Sequence, residues 1–140
     1  MAYWLVKSEP EEFSWDKQVK AGKKGTPWTG VRAHPAKLNL MKMAKGDRAF
    51  FYHTGDEKQV VGIAEVAKES YADPTAGKGE PWVVVDVKAG KPLPTPVTLA
   101  AVKAEKPLKN RALVKYARLS VQPVTAAEWK AVCKMGGLKG

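Results

Sequence analysis

Only one cysteine, Cys133, and two histidines occur in 140 residues. A lone cysteine forms no internal disulfide, and it excludes Cys-rich zinc sites and CxxC redox motifs. With so few histidines no His-based metal site is expected, nor any cofactor. No apolar run approaches the ~18 residues of a membrane span. The opening MAYWLVKSEP reaches an acid by position 9 and lacks a secretory h-region, so a reducing, cytoplasmic setting is expected. GxSxG, HExxH, a phosphate-binding glycine loop and a glycine-rich dinucleotide fingerprint are all missing, so short motifs offer no enzyme.

Acids are scarce as well. Fourteen Asp and Glu stand against 24 Lys and Arg, a net charge of +10. Residues 1–70 carry 12 bases and 9 acids, whereas residues 71–140 carry 12 and 5. Within 88–118 there are eight bases and one acid, Glu105. Each phosphate neutralised releases condensed counterions, so this excess suits a polyanion. A solvated lysine-rich surface is the plainer reading, and charge alone does not separate the two.

What is present is globular: 44% hydrophobic and 27% charged residues, in a chain long enough for one core. Tyr3 to Lys7 reads as a first strand ended by Ser8-Glu9-Pro10. Ser14 caps a short helical turn through Lys20. Residues 22–30, GKKGTPWTG, read as a loop presenting an exposed aromatic, Trp28. Pro35 opens a helix to about Ala44, with Leu38, Met41 and Leu40 at helical spacing. Residues 48–54, 59–70 and 81–88 read as strands, the first two joined by a hairpin turn at 55–58. In the third, Val83, Val85 and Val87 share one face. Residues 89–96, AGKPLPTP, hold three prolines and a glycine and are expected to be a loop. Residues 97–103 suit strand or helix equally. Residues 119–124 read as a last strand, and Thr125-Ala-Ala-Glu128 is a capping box opening a helix with Trp129, Val132 and Cys133 on one face. The fold class expected is α+β, a bent and mostly antiparallel sheet with flanking helices.

Seven segments in order carry a resemblance: YWLVKSEP at 3–10, WTGVR at 28–32, GDRAFFYHTG at 46–55, VVGIAEV at 60–66, YADPT at 71–75, WVVVDV at 82–87 and RLSVQPVTAAEW at 118–129. Together they closely resemble the EVE domain, a family of the PUA-like superfamily that is found widely in bacteria and is similar to the thymocyte nuclear protein of eukaryotes. The resemblance covers essentially the whole chain and implies one domain over 1–140, a PUA-like β pseudobarrel flanked by helices and related to the YTH domain. It also implies a pocket that reads modified bases, for example methylated ones, in DNA or RNA. The pattern usually has Asn after GVR, where this chain has Ala33, and often FYHSN, where it has Thr54 and Gly55. Two amide side chains that would be natural readers of a base edge are thereby removed.

A base-reading pocket needs an aromatic surface, a few polar groups aimed at the base edge and a basic rim for phosphates. Trp28 is the stacking candidate, an accessible platform against the alternative of a loop anchor. Lys7 and Ser8 end the first strand, and His53 and Thr54 end another; together they would form a polar rim. Ser8 also suits a cap, His53 a structural hydrogen bond, and Lys7 plain solvation. Arg32 suits a phosphate or an acid partner. Trp4, Trp129 and Trp15 read as packing, as does Trp82 by a smaller margin; Asp73-Pro74-Thr75 reads as turn chemistry, and Cys133 as a buried inert thiol. The expected partner is DNA or RNA with a modified base, bound by a monomer away from membranes. An enzyme acting on a modified nucleotide or RNA, and a basic adaptor docking an acidic protein, stay open as alternatives.

Overall fold

A computed structural model describes residues 2–105 and 119–138. Five of the eight bases in the 88–118 stretch (Lys106, Lys109, Arg111, Lys115 and Arg118) lie outside the described residues. Among the described residues six strands form one mixed sheet: β1 (Tyr3–Ser8), β2 (Thr26–Pro27), β3 (Arg48–His53), β4 (Gln59–Ala72), β5 (Val83–Thr98) and β6 (Val121–Val124), in the order β2-β5-β4-β3-β1-β6. Among the described strands only β1 and β3 run parallel; the other pairs are antiparallel, and the terminal strands β2 and β6 do not meet, so the described sheet stays open. The described helices are α1 (Trp15–Lys20), α2 (His34–Lys42), α3 (Leu99–Ala104) and α4 (Ala126–Met135), with a 3₁₀ turn at Gly22–Lys24.

Both faces of the sheet are buried, which is why the central strand reads as an unbroken apolar run rather than an alternation. Every residue of β3 after Arg48 is buried. Trp4, Val6, Ala49, Phe51, Val85 and Val87 point to one core, which also holds Trp15, Trp28 and Leu40. Leu5, Phe50 and Tyr52 point to a second, covered by α3 and α4. There Trp129 lies stacked between Tyr3 and Phe50, with ring centroids 4.5 and 3.9 Å away. Asp47 ties the first core to the chain start: its carboxylate accepts from the Trp4 indole at 3.1 Å and from the Ala44 amide at 3.0 Å.

Two expectations are corrected. Residues 89–96 are not a loop, because β5 runs on through them to Thr98. Beyond the two residues that pair with β2, β5 has β4 on one side only among the described residues, and register shifts interrupt that ladder. On such an edge a missing proline N–H costs no ladder bond. In α2, Leu38 and Met41 face outward, about half exposed, while Ala36 and Leu40 are fully buried. The small Ala36 lets α2 lie close to the sheet, so the buried stripe runs through it instead. The ambiguous 97–103 stretch divides: β5 ends at Thr98, whose hydroxyl accepts the Ala101 amide and caps α3. The capping box of α4 is present in both directions.

Candidate nucleic-acid interface

Where β1 ends, the chain turns sharply. The Ser8 hydroxyl donates to the Phe13 carbonyl at 2.7 Å and closes that turn, while the Thr54 amide donates to the Ser8 carbonyl at 2.9 Å. On the other side, the Trp28 amide donates to the Val85 carbonyl at 2.8 Å and fixes the start of the WTGVR loop to β5. Between them lies a cavity of about 500 Å³, bordered by Lys7, Ser8, Glu9, Glu12, Phe13 and Ser120 from one side and by residues 26–31 from the other. That volume falls within the ~300–1,000 Å³ of ordinary small-ligand sites.

Trp28 is not the exposed platform expected from its loop. It is 6% exposed and belongs to the first core, because Phe51 packs edge-on against it at 5.3 Å and Phe13 at 6.2 Å. What it offers is part of a cavity wall, with Phe13 as a second aromatic at the same cavity. Phe13 was not singled out by sequence, since an aromatic after Glu11-Glu12 reads as part of a turn.

The six candidate residues separate into three groups. Trp28, Lys7 and Ser8 border the cavity. Strand alternation turns the Lys7 chain to the face of its register partner Tyr52, and the ammonium lies 5.7 Å from that ring. Lys7 therefore presents main chain to the cavity. Burial lowers its pKa from 10.5 to about 8. His53 and Thr54 stand behind the wall. The His53 Nε2 accepts the Trp15 amide at 3.0 Å, so the proton sits on Nδ1, 2.8 Å from the Glu57 carboxylate. The Thr54 hydroxyl donates to Glu9 at 3.3 Å. Arg32 lies outside, with its guanidinium on Asp73 at 2.9 Å and on the Thr75 hydroxyl at 3.1 Å.

Asp73 serves the turn that Asp73-Pro74-Thr75 suggests, accepting the Thr75 amide at 2.7 Å, and it also has a longer reach. Burial alone would raise its pKa, but hydrogen bonds from Thr75, Arg32 and the Gly30 amide hold the carboxyl below its ordinary range. One carboxylate thus clamps the Trp28 loop to the turn after β4. The rim also differs from expectation: among the described lining residues Glu9 and Glu12 are the acids and Lys7 is the base, so the cavity mouth is not basic.

Ala33, the first departure from the pattern, is the N-cap of α2 and makes no side-chain cap. An Asn there would be positioned to cap a helix. Gly55, the second, has φ +74°, and a Cβ on it would meet the Glu9 carboxylate at 2.8 Å.

The EVE domain model matches residues 2–135. Human thymocyte nuclear protein 1 is 33% identical, the match covering 96% of this chain and 73% of that protein. The crystal structure of that human protein, THYN1, in complex with DNA containing 5-methylcytosine has a TM-score of 0.88 to this chain at 32% identity, covering 100% of both. The NMR structure of Rpa0253 from Rhodopseudomonas palustris has a TM-score of 0.92 at 64% identity, covering 98% of this chain and 94% of that one. A YTH domain from Zygosaccharomyces rouxii shares the fold, with a TM-score of 0.58 at 15% identity over 96% of this chain and 86% of that one.

Proposed function

The chain belongs to the EVE domain family, with its PUA-like fold, and on that footing we propose that it binds nucleic acid and reads a modified base drawn out of its strand into the cavity beside Trp28. The observation that carries this reading is the cavity itself: room for one planar heterocycle, bordered by an indole and a phenyl ring, on a protein of net charge +10. A base stacked in a duplex cannot reach such a recess without leaving its stack. DNA carrying 5-methylcytosine is the ligand to try first, because human THYN1 forms a complex with it.

Each residue then has a part. Trp28 and Phe13 stand at 86° to each other, so one ring meets a flat face of the base and the other meets its edge. The Ser8 proton is committed to Phe13, so its oxygen is left to accept an N–H from the base edge. Glu9 and Glu12 favour an exocyclic amino group and repel phosphate, keeping the backbone at the mouth. Thr54 and His53 fix Ser8 and α1 from behind. The role is binding rather than turnover.

Burying one extra methyl is worth about 0.8 kcal/mol, roughly a fourfold preference. Stronger discrimination needs a polar contact that the unmodified base forfeits. Titration of matched oligonucleotides with and without 5-methylcytosine should show at least that preference, and Ser8→Val, which opens the turn and removes an acceptor that both bases use, should weaken both oligonucleotides. Equal affinity for both oligonucleotides would defeat the reading.

A further inference from the structure

The WTGVR loop has two sides. Thr29, Gly30 and Val31 border the cavity. The very next residue, Arg32, lies with its guanidinium carbon 5.9 Å from the centroid of the Trp82 ring. His34, two positions further, sets its imidazole 5.1 Å from the same ring at 38°. Arg32 and His34 are exposed, and Trp82 is half-buried. The sequence reading leaned toward packing for Trp82, and the base-reading role makes no use of His34.

Arg32 has five N–H donors in a fixed fork. Both protons of Nη1 are taken, by the Val31 carbonyl at 3.1 Å and by Asp73 at 2.9 Å, and Nη2 donates once, to Thr75 at 3.1 Å. Asp73 and Thr75 are themselves hydrogen-bonded, so they occupy the same end of the guanidinium. What remains without a partner among the described residues is Nε–H and the second proton of Nη2. Those two run parallel and match the oxygens of a phosphate. The ion pair with Asp73 therefore does not use up the arginine; it holds the free edge rigid. Its side chain stays 37% exposed.

We propose that Arg32, His34 and Trp82 form a second nucleotide subsite that takes the nucleotide adjoining the modified one. The adjoining base stacks on the exposed imidazole, which the indole supports, and its phosphate meets the free edge of Arg32. The subsite adjoins the cavity through the chain itself: Val31 borders the recess and Arg32 follows it directly. The subsite rests on the reading of the cavity for the word "adjoining", but its own contacts do not.

The test compares 5-methyl-2′-deoxycytidine with a short single-stranded oligonucleotide carrying one central 5-methylcytosine. Wild type, His34→Ala and Arg32→Lys are titrated with both. His34→Ala changes an exposed side chain and should keep the wild-type circular dichroism spectrum. It should weaken the oligonucleotide by at least about fivefold, the lower end of one lost base–aromatic stack, and leave the nucleoside unchanged. Arg32→Lys keeps the charge and loses the parallel pair, so it too should weaken the oligonucleotide. An oligonucleotide affinity unmoved by His34→Ala overturns the subsite, and so does an equal loss for nucleoside and oligonucleotide. If wild type ignores the nucleoside while the oligonucleotide still depends on His34, the cavity reading falls and the subsite stands.

Discussion

At the scale of single residues, protonation and capping give the sharpest tests. Lys7 has a folded pKa of about 8 against 10.5 for a free lysine. Between those values the folded state holds fewer protons than the unfolded one, so this group makes stability rise with pH from about 8 toward 10. An ε-¹³C resonance of Lys7 is expected to titrate near pH 8, and Lys7→Met should remove that part of the rise in chemical-denaturation profiles. A titration midpoint above 10 would show the amine to be solvated. Ala33 leaves the first turn of α2 without a side-chain acceptor. Ala33→Asn should therefore stabilise the fold by about 1 kcal/mol, read as a higher denaturation midpoint with an unchanged denaturant slope. Its effect on base affinity should be negligible, since residues 26–31 of that loop border the cavity and Ala33 does not. The sequence alone could show that an amide was missing, but not that the amide would serve a helix. The candidate rim was legible in the same partial way. Ser8 and Trp28 are legible by type and context and Asp73 as a turn residue, whereas Phe13 at the cavity and the pairing of Asp73 with Arg32 emerge only when distant segments meet.

At the scale of elements, local rules read well where one force dominated. Ser14 and Thr125 each cap the helix that follows them, as their sequence context suggests, whereas the Thr98 cap falls in the stretch that suited strand and helix equally. The hairpin turn at 55–58 follows from Gly55 and its positive φ. Prolines argue against a strand over 89–96, and only the sheet pairing shows that, among the described residues, the outer edge of β5 past Val87 has no ladder to lose. The loop that forms the cavity wall is an element whose rigidity comes from elsewhere, namely the Asp73 carboxylate. Asp73→Asn should cost about 2 kcal/mol, the worth of charge-assisted hydrogen bonds. The sign in acid follows from the depressed folded pKa. Stability from Asp73 is complete above about pH 4, the ordinary aspartate value, and is lost as pH falls through the folded pKa. Wild type and Asp73→Asn should thus converge in stability at the acid end of the profile. A constant difference down to pH 2 would mean that packing rather than charge sets the loss.

Over the whole molecule, charge and cavity are separate devices. The net charge of +10 belongs to the chain as a whole, while the described cavity lining carries two glutamates and one lysine turned to the other face. Phosphate attraction and base selection then respond to different variables. Affinity for an oligonucleotide should fall with salt, log K against log [salt] having a slope near −0.7 for each phosphate neutralised on a single strand. Three or four such contacts give a slope of about −2 to −3. The free modified nucleoside carries no phosphate, so its affinity should barely change over the same range. The preference for modified over unmodified oligonucleotide should also hold constant with salt, because the counterion contribution is common to both and cancels in the ratio. Fluorescence anisotropy at four or five salt concentrations measures all three quantities. A preference that shrinks as salt rises would place the reading of the modification in the electrostatic contacts, and the cavity would no longer be its source.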